Sequence, residues 1–566
     1  MNAKNKNLRL LSLVAVLFAV LILAGSAYAK DITEMIPKNA SGVLIIDYAK
    51  NGFGDKVLKF FDKVATADDK KATEALKNRM GFSFNDPVFL STISKVAVVY
   101  LDEVSKGPIT STNVPVAFII QLAKKEAFMT HLSNMKASVS KSGAYNLYAK
   151  KDQPQIEVLE DPKNKAEYFA FTTSEDFFVA GTGYDTAFDA LNKVLETAKD
   201  AKLSIKESGN FNGALKVFPM DQPVYFYLDG SYIAKFSAEE KIMSDLNFIK
   251  SFCYSVGVEG TKIIKNGVLI TDKTAAGNAF AKYFTKEGSA LTAPAMLDNE
   301  TVLYLGGKFN FDAKTVAEDK KLAESKAQIA AKLGVDFDKE IVPWIGDEFF
   351  ISVSNYKIIP LPVLPAPGIY FGLKAKDKDA CMKCMSKIMA ALKQPFKETK
   401  TGDVTIFHSP VPTPGNIIPD FGITFAFVND FIIMTTSKDA AASLTVVLQK
   451  KESSLALSKP FVESIGTLAK TSLFTFFYNG VSGGELLSGL AKLSGEANKL
   501  SEKELDILKI ANSFGGGFTY NDACLFCRAV VDINKDVLLK SVIGMVKDAS
   551  ATGKPAEEKA KSEEKK

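Results

Sequence analysis

Two stretches of this chain carry the same succession of apolar runs, turns and charged helices, and that repetition limits the fold more than any other feature. Met80–Met135 reads in register with Leu333–Ile388. In the first stretch Gly81-Phe82-Ser83-Phe84 leads into Val96–Tyr100; in the second Gly334-Val335-Asp336-Phe337 leads into Phe349–Val353. Apolar runs this short, set between turn residues, read as strands. The correspondence continues on both sides. Gly42–Ile46 is answered by Thr301–Leu305, Pro115–Leu122 by Gly368–Leu373, and the helical Ala127–Ser133 by Ala380–Ser386. The ribbon Phe169–Phe171 with Asp176–Val179 is answered by Phe425–Phe427 with Asp430–Ile433, and Val224–Gly230 by Phe474–Gly480. Ser237–Glu240 and Ser501–Glu504 both read as helix capping boxes, in which Ser and a Glu three residues on satisfy the first free N–H groups of a helix. Hairpins with interleaved helices predict an α+β fold: two tandem related copies, mainly antiparallel sheets with helices on one face. The expected domains are 30–290 and 291–548. The tail 549–566, rich in Lys, Glu and Ala and interrupted by Gly553-Lys554-Pro555, reads as disordered.

Residues 1–29 read as a cleavable signal peptide. Lys4, Lys6 and Arg9 form its basic part, Leu10–Ala24 its apolar part, and Ala27-Tyr28-Ala29 a small-x-small cleavage site that leaves Lys30 at the mature start. The other reading is an uncleaved anchor, for which the apolar run is short. No later segment approaches the roughly 20 apolar residues of a transmembrane helix. The expectation is an extracytoplasmic protein, periplasmic or secreted, with no transmembrane segment after signal removal. The formal charge is +5, and Lys4, Lys6 and Arg9 leave with the signal. The near balance that remains argues against nucleic acid as a partner. Arginine occurs only at Arg9, Arg79 and Arg528, so bidentate recognition of phosphate or carboxylate is available at few places.

Leu333–Glu348, with its Gly334-x-Asp336 and Trp344-Ile345-Gly346-Asp347-Glu348, resembles the corresponding segment of the bacterial exported family catalogued as domain of unknown function 3352. The opening Ile36-Pro37-Lys38-Asn39-Ala40 before an apolar strand is similar to the start of that family. The first copy departs from the pattern, with Ser91 at the place of Trp344 and Ile93 at that of Gly346. The resemblance implies export and an unassigned role, and brings no catalytic residues.

The candidate chemistry is thin. Cys381-x-x-Cys384 falls on a helix whose counterpart in the first copy carries Phe128 and His131, which marks at least Cys381 as a core position. Cys524-x-x-Cys527 falls on a strand, where an odd separation sends the two side chains to opposite faces and opposes a shared metal. Buried thiols are favoured over a zinc site or a redox pair, and Cys253 has no evident partner. His131 and His408 are the only histidines, which leaves little room for a His-based triad. Gly515-Gly516-Gly517 lacks the Lys-Ser/Thr of a phosphate loop and reads as close backbone packing or a bulge. Trp344 reads as core. No serine-hydrolase elbow is present, and neither cofactor nor metal is expected.

The sharper signal lies where the copies differ. Ile358-Ile359-Pro360-Leu361-Pro362-Val363-Leu364-Pro365-Ala366-Pro367 contains no charged or polar side chain, whereas the first copy has Glu103–Pro108 and further polar residues there. A second proline-rich stretch, Pro410–Pro419, carries Val411, Ile417 and Ile418, and its counterpart Gln153–Lys165 is charged. Loops normally face water, so apolar loops of this length cover something. They either seal the core or the junction of the copies, or form a binding lip of Ile359, Leu361, Val363, Leu364, Val411, Ile417 and Ile418. The leading expectation is a non-enzymatic exported protein that binds a hydrophobic small molecule or an envelope protein through these loops. A structural envelope or surface protein, and a hydrolase with an unrecognised site, are the alternatives.

Overall fold

The computed structural model describes residues 31–56, 87–102, 115–143, 145–160, 162, 167–174, 176–183, 186–233, 249–272, 290–309, 320–357, 365–402, 404–411, 421–465, 473–493, 510–521, 524–534 and 536–537 of the 566. Ala27 and Ala29 of the expected signal, both capping boxes and the tail lie outside them. The described residues fall into two compact units. The first runs to Val258 and includes Gly267–Asp272; the second holds Glu259–Asn266 and residues 290–537.

The first unit contains β1 (Gly42–Asp47), β2 (Ile93–Tyr100), β3 (Val116–Leu122), β4 (Asn146–Lys150), β5 (Gln153–Glu160), β6 (Glu167–Ser174), β7 (Phe177–Thr182), β8 (Val224–Asp229) and β9 (Ile249–Glu259). All pair antiparallel in the order β9-β8-β1-β2-β3-β7-β6-β5-β4. Between strands run α1 (Lys125–Ser142), α2 (Ala187–Lys199) and α3 (Gly209–Val217). Phe128, Leu132, Met135 and Val139 recur at helical spacing on α1, and share one core with Val96, Val98, Phe118, Ile120, Phe171 and Phe178 of the strands. The alternate strand residues, Ala117, Ile119, Val179 and Gly181, point to the other face, where α2 lies against β3, β6 and β7. Gly181 permits that approach: a Cβ there would stand 2.0 Å from the Ala187 carbonyl oxygen.

The second unit contains β11 (Thr301–Lys308), β12 (Ile345–Lys357), β13 (Pro365–Ala375), β14 (Lys397–Thr401), β15 (Val404–Pro410), β16 (Phe421–Val428), β17 (Phe431–Ser437), β18 (Phe474–Asn479), β19 (Ala511–Asn521) and β20 (Cys524–Ile533). Their antiparallel order is β20-β19-β18-β11-β12-β13-β17-β16-β15-β14. The intervening β10 (Lys262–Thr271) contributes Lys262–Asn266 to this unit, and Arg528 Nη1 donates to Asn266 Oδ1 at 3.4 Å. The helices are α4 (Lys320–Leu333), α5 (Lys378–Ala391), α6 (Lys438–Gln449), α7 (Lys459–Ile465) and α8 (Gly480–Leu493). Ala440, Ala441 and Leu444 of α6 share a core with Phe350, Tyr370, Ala426 and Ile433. Cys381, Cys384 and Met385 of α5 share another with Phe425, Phe427 and Ile432, which alternate with the first set and so face the opposite way.

The fold is thus α+β with mainly antiparallel sheet, as the hairpin pattern predicts, but helices cover both faces of each sheet rather than one. The reason is local. Runs such as Val96–Val99 and Phe349–Ile351 are apolar at successive positions, and a strand apolar on both sides has two faces to bury.

Candidate functional site: an open apolar rung in the second unit

Of the residues expected to form a binding lip, Ile359, Leu361, Val363, Leu364, Ile417 and Ile418 lie outside the described residues. Val411 is described: it is 41% exposed, and its N–H donates to the Phe421 carbonyl at 2.9 Å. The strand ends that flank both proline-rich stretches can be placed. β12 and β13 continue pairing through Asn355↔Pro367, Tyr356↔Ala366 and Lys357↔Pro365, past the rung Ser354↔Gly368 at which β11 begins with Thr301. In the first unit β2 and β3 stop at Tyr100↔Val116. β13 pairs β17, β17 pairs β16 with Phe421↔Ser437, and β16 pairs β15 with Pro410↔Gly422. These antiparallel steps bring Lys357, Pro365, Ser437, Phe421 and Pro410 to one end of the sheet. Gln153–Glu160, expected as part of the charged counterpart loop, is strand β5; the connection there is residues 161–166, still charged in sequence.

Running from that end is a feature the loops alone do not reveal. Phe476, Leu305, Ile351, Phe371, Met434 and Phe425 form one cross-strand rung on one face of the sheet. Ile351 is 38% exposed, Phe371 37% and Met434 46%, and Ile369, two residues from Phe371 on the same face, is 46% exposed. The matching rung of the first unit is Phe226, Leu44, Val98, Phe118, Ala180 and Phe171. There Val98 is 1%, Phe118 4% and Ala180 0% exposed. In the second unit α5 closes the Phe425 end of the rung. At the other end α8 leaves β18 with Gly483 against the Tyr478 ring and reaches β11, β12 and β13. Because β12, β13 and β17 each have neighbours on both sides, an occupant of this face meets side chains and not free backbone. The sequence hides the rung, since Phe349-Phe350-Ile351 and Tyr370-Phe371 read simply as strands buried on both faces.

Other candidates resolve into architecture. Cys381 and Cys384 are buried on α5, and burial pushes the Cys381 thiol up to about 12. Burial also raises Cys384, against the lowering effect of the Trp344 indole N–H beside it. Trp344 is core, packed with Val335, Cys381, Cys384 and Met385. Cys253 is raised by burial to about 11. His408 on β15 shares a hydrogen bond of 2.9 Å between its Nδ1 and Thr424 Oγ1, and His131 lies edge-on to the Phe89 ring, with centroids 5.4 Å apart. No group of three or more His, Cys, Asp or Glu able to hold a metal ion occurs among the described residues. Gly516 lies within β19, where a Cβ would stand 2.1 Å from the Arg528 carbonyl oxygen, so close packing of strands explains the glycine run.

The Gly334–Glu348 segment is also structural. Asp336 Oδ1 accepts from the N–H groups of Asp338 at 3.1 Å and Lys339 at 3.0 Å, while Glu340 Oε2 accepts from Asp336 N at 2.9 Å, a reciprocal cap on the turn Phe337–Ile341. Glu348 is buried. Its carboxylate accepts from Thr292 N at 2.6 Å, Thr292 Oγ1 at 2.8 Å and Ala293 N at 2.8 Å, and so caps the short 3-10 helix Ala293–Ala295 from across the fold.

Residues 310–552 match the model of the family described as Protein of unknown function (DUF3352), which supports the resemblance read from Leu333–Glu348. No curated protein matches the chain. Among solved structures, crystal form III of TP0453 is similar at 10% identity over 43% of this chain and 81% of that chain, with a TM-score of 0.26. Crystal form I matches at 10% identity over 44% and 81%, with a TM-score of 0.25. These likenesses are too weak to carry an argument.

Proposed function

We propose that this is an exported, non-enzymatic protein, periplasmic or secreted, built by tandem duplication, whose second unit binds a hydrophobic molecule or an apolar segment of an envelope protein. The observation that carries the binding reading is the rung Ile351–Phe371–Met434 with Ile369, open in one unit where its counterpart is closed in the other. On this reading the charge-free loop residues Ile359, Leu361, Val363, Leu364, Ile417 and Ile418, with Val411, extend the apolar surface from the same end of the sheet.

Duplication is supported by the parallel strand orders and by hydrogen bonds that recur outside the strands. Asp47 N to Pro223 O answers Lys308 N to Leu473 O; Tyr48 N to Ser94 O answers Phe309 N to Asp347 O; Ile205 N to Ile36 O answers Leu455 N to Leu297 O. Ala123 N to Thr92 O answers Lys376 N to Trp344 O, which aligns Trp344 with Thr92 rather than with Ser91.

Mass spectrometry of natively purified protein tests the binding reading. A lipid-like molecule or an envelope protein is expected to copurify with the wild type, and to be lost from the double variant Phe371→Ser/Met434→Ser and from the loop variant Leu361→Ser/Val363→Ser/Leu364→Ser. Clean recovery of the wild type with nothing bound would sink it.

A further inference from the structure

We infer that the occupant of the open rung is a single alkyl chain, the tail of a monomeric fatty acid, lying between α5 and α8. This rests on the reading that the second unit binds something hydrophobic and names what that is.

Size is the first reason. Six side chains on this face, Ile351, Ile369, Phe371, Met434, Phe514 and Phe518, are 36–46% exposed. At about 200 Å² for a ring and a similar area for the aliphatic chains, they leave on the order of 500 Å² open. A stable protein interface covers about 800 Å² on each partner, so a second copy of the chain or a globular partner finds too little surface here. Chemistry is the second reason. Ile351, Ile369 and Phe371 carry no hydrogen-bonding group, Met434 offers only a weakly accepting thioether, and the backbone beneath them is committed to neighbouring strands on both sides. Protein interfaces hold about one hydrogen bond per 100–200 Å²; an alkyl chain asks for none. Shape is the third. Ile351, Phe371 and Met434 stand abreast on three strands about 4.8 Å apart, which makes a strip about 10 Å long, and Met434 is the flexible side chain suited to an adaptable apolar guest. Finally, the first unit shows what such a rung takes. Val98, Phe118 and Ala180 are closed within an apolar core that includes Phe53, Leu132 and Met135. In the second unit Met385 and Ile388, at the places of Leu132 and Met135, pack around the Phe425 end, and a chain supplied from outside covers the rest of the rung.

The test titrates the purified, delipidated protein with palmitate, read by displacement of the fluorescent fatty acid 11-(dansylamino)undecanoic acid. Palmitate is expected to displace the probe. Phe371→Ser/Met434→Ser is expected to weaken binding at least tenfold while the protein still unfolds in one cooperative transition, since both side chains are partly exposed, and Met434→Leu to retain binding. No displacement by palmitate below its micellar range, or equal displacement from the double variant, overturns the inference. Binding to phosphatidylcholine vesicles but not to palmitate overturns it as well. If palmitate fails while an envelope protein copurifies and is lost from the double variant, the alkyl chain is wrong and the broader binding reading stands.

Discussion

The two units follow the same strand order yet use one sheet position in opposite ways. On the rung that joins the first strand to the second, the first unit pairs Asp47 with Lys95 and the second pairs Lys308 with Glu348, so the charges are exchanged. In the first unit the pair is an ordinary partly exposed ion pair of 3.1 Å. In the second, Lys308 turns to Asp347 at 3.5 Å, and Glu348 is spent on Thr292 and Ala293. The opening 3-10 helices explain the exchange. Ile32–Met35 is capped by its own Asp31, whose Oδ1 accepts from Thr33 N at 3.1 Å. Ala293–Ala295 is preceded by Thr292, which makes no side-chain cap, so the acid comes from a strand. The framework therefore tolerates a change of sign at one position as long as each helix start finds an acceptor. The apolar rung teaches the complementary lesson: the same strands tolerate being closed by their own chain or left open.

The largest effect should separate the two apolar rungs. Phe118→Ala is expected to cost about 3–5 kcal/mol, as for a fully buried ring, whereas the partly exposed Phe371→Ala costs about 1–2 kcal/mol. Urea unfolding of both variants measures the gap, and equal losses would erase the contrast between the rungs. Next, Glu348→Ala removes an acceptor shared by three buried or half-buried donors and is expected to cost about 2–3 kcal/mol, against about 0–1 kcal/mol for Lys95→Ala. Thermal unfolding of the pair tests whether the exchanged charges do different work.

The smallest effect concerns the isolated bridges Pro37↔Ser204 and Asp298↔Ser454. Burial pushes the Asp298 carboxyl up from its ordinary 3.8 to about 6. Its folded state therefore holds a proton that the unfolded chain releases. The associated stability is complete below pH 3.8 and is lost as pH rises through about 6. Asp298→Asn is accordingly expected to stabilise the second unit by about 1–3 kcal/mol at neutral pH, and to change nothing in strong acid. An unchanged midpoint at neutral pH would show that Asp298 is ionised without penalty.

Much of this framework was legible from short-range pattern. Val96–Tyr100, Gly368–Leu373 and the two ribbons fall on strands because short apolar runs between turns leave few other choices. Cys381 could be assigned to the core because Phe128 stands at its counterpart. Two things were not legible. The side of the sheet on which each helix settles depends on contacts such as Gly181 with Ala187, which no local pattern encodes. The open rung escaped as well, because an exposed Phe371 and a buried Phe118 sit in equally apolar strands; only the cover differs.

The reach of Glu348 also bears on the order in which the chain becomes structured. The start of the first unit carries its cap two residues from the N–H it serves, so that turn can close as soon as it is made. The start of the second unit waits for a residue 56 positions further along. During synthesis its opening turn stays uncapped until β12, the second strand after it, has emerged.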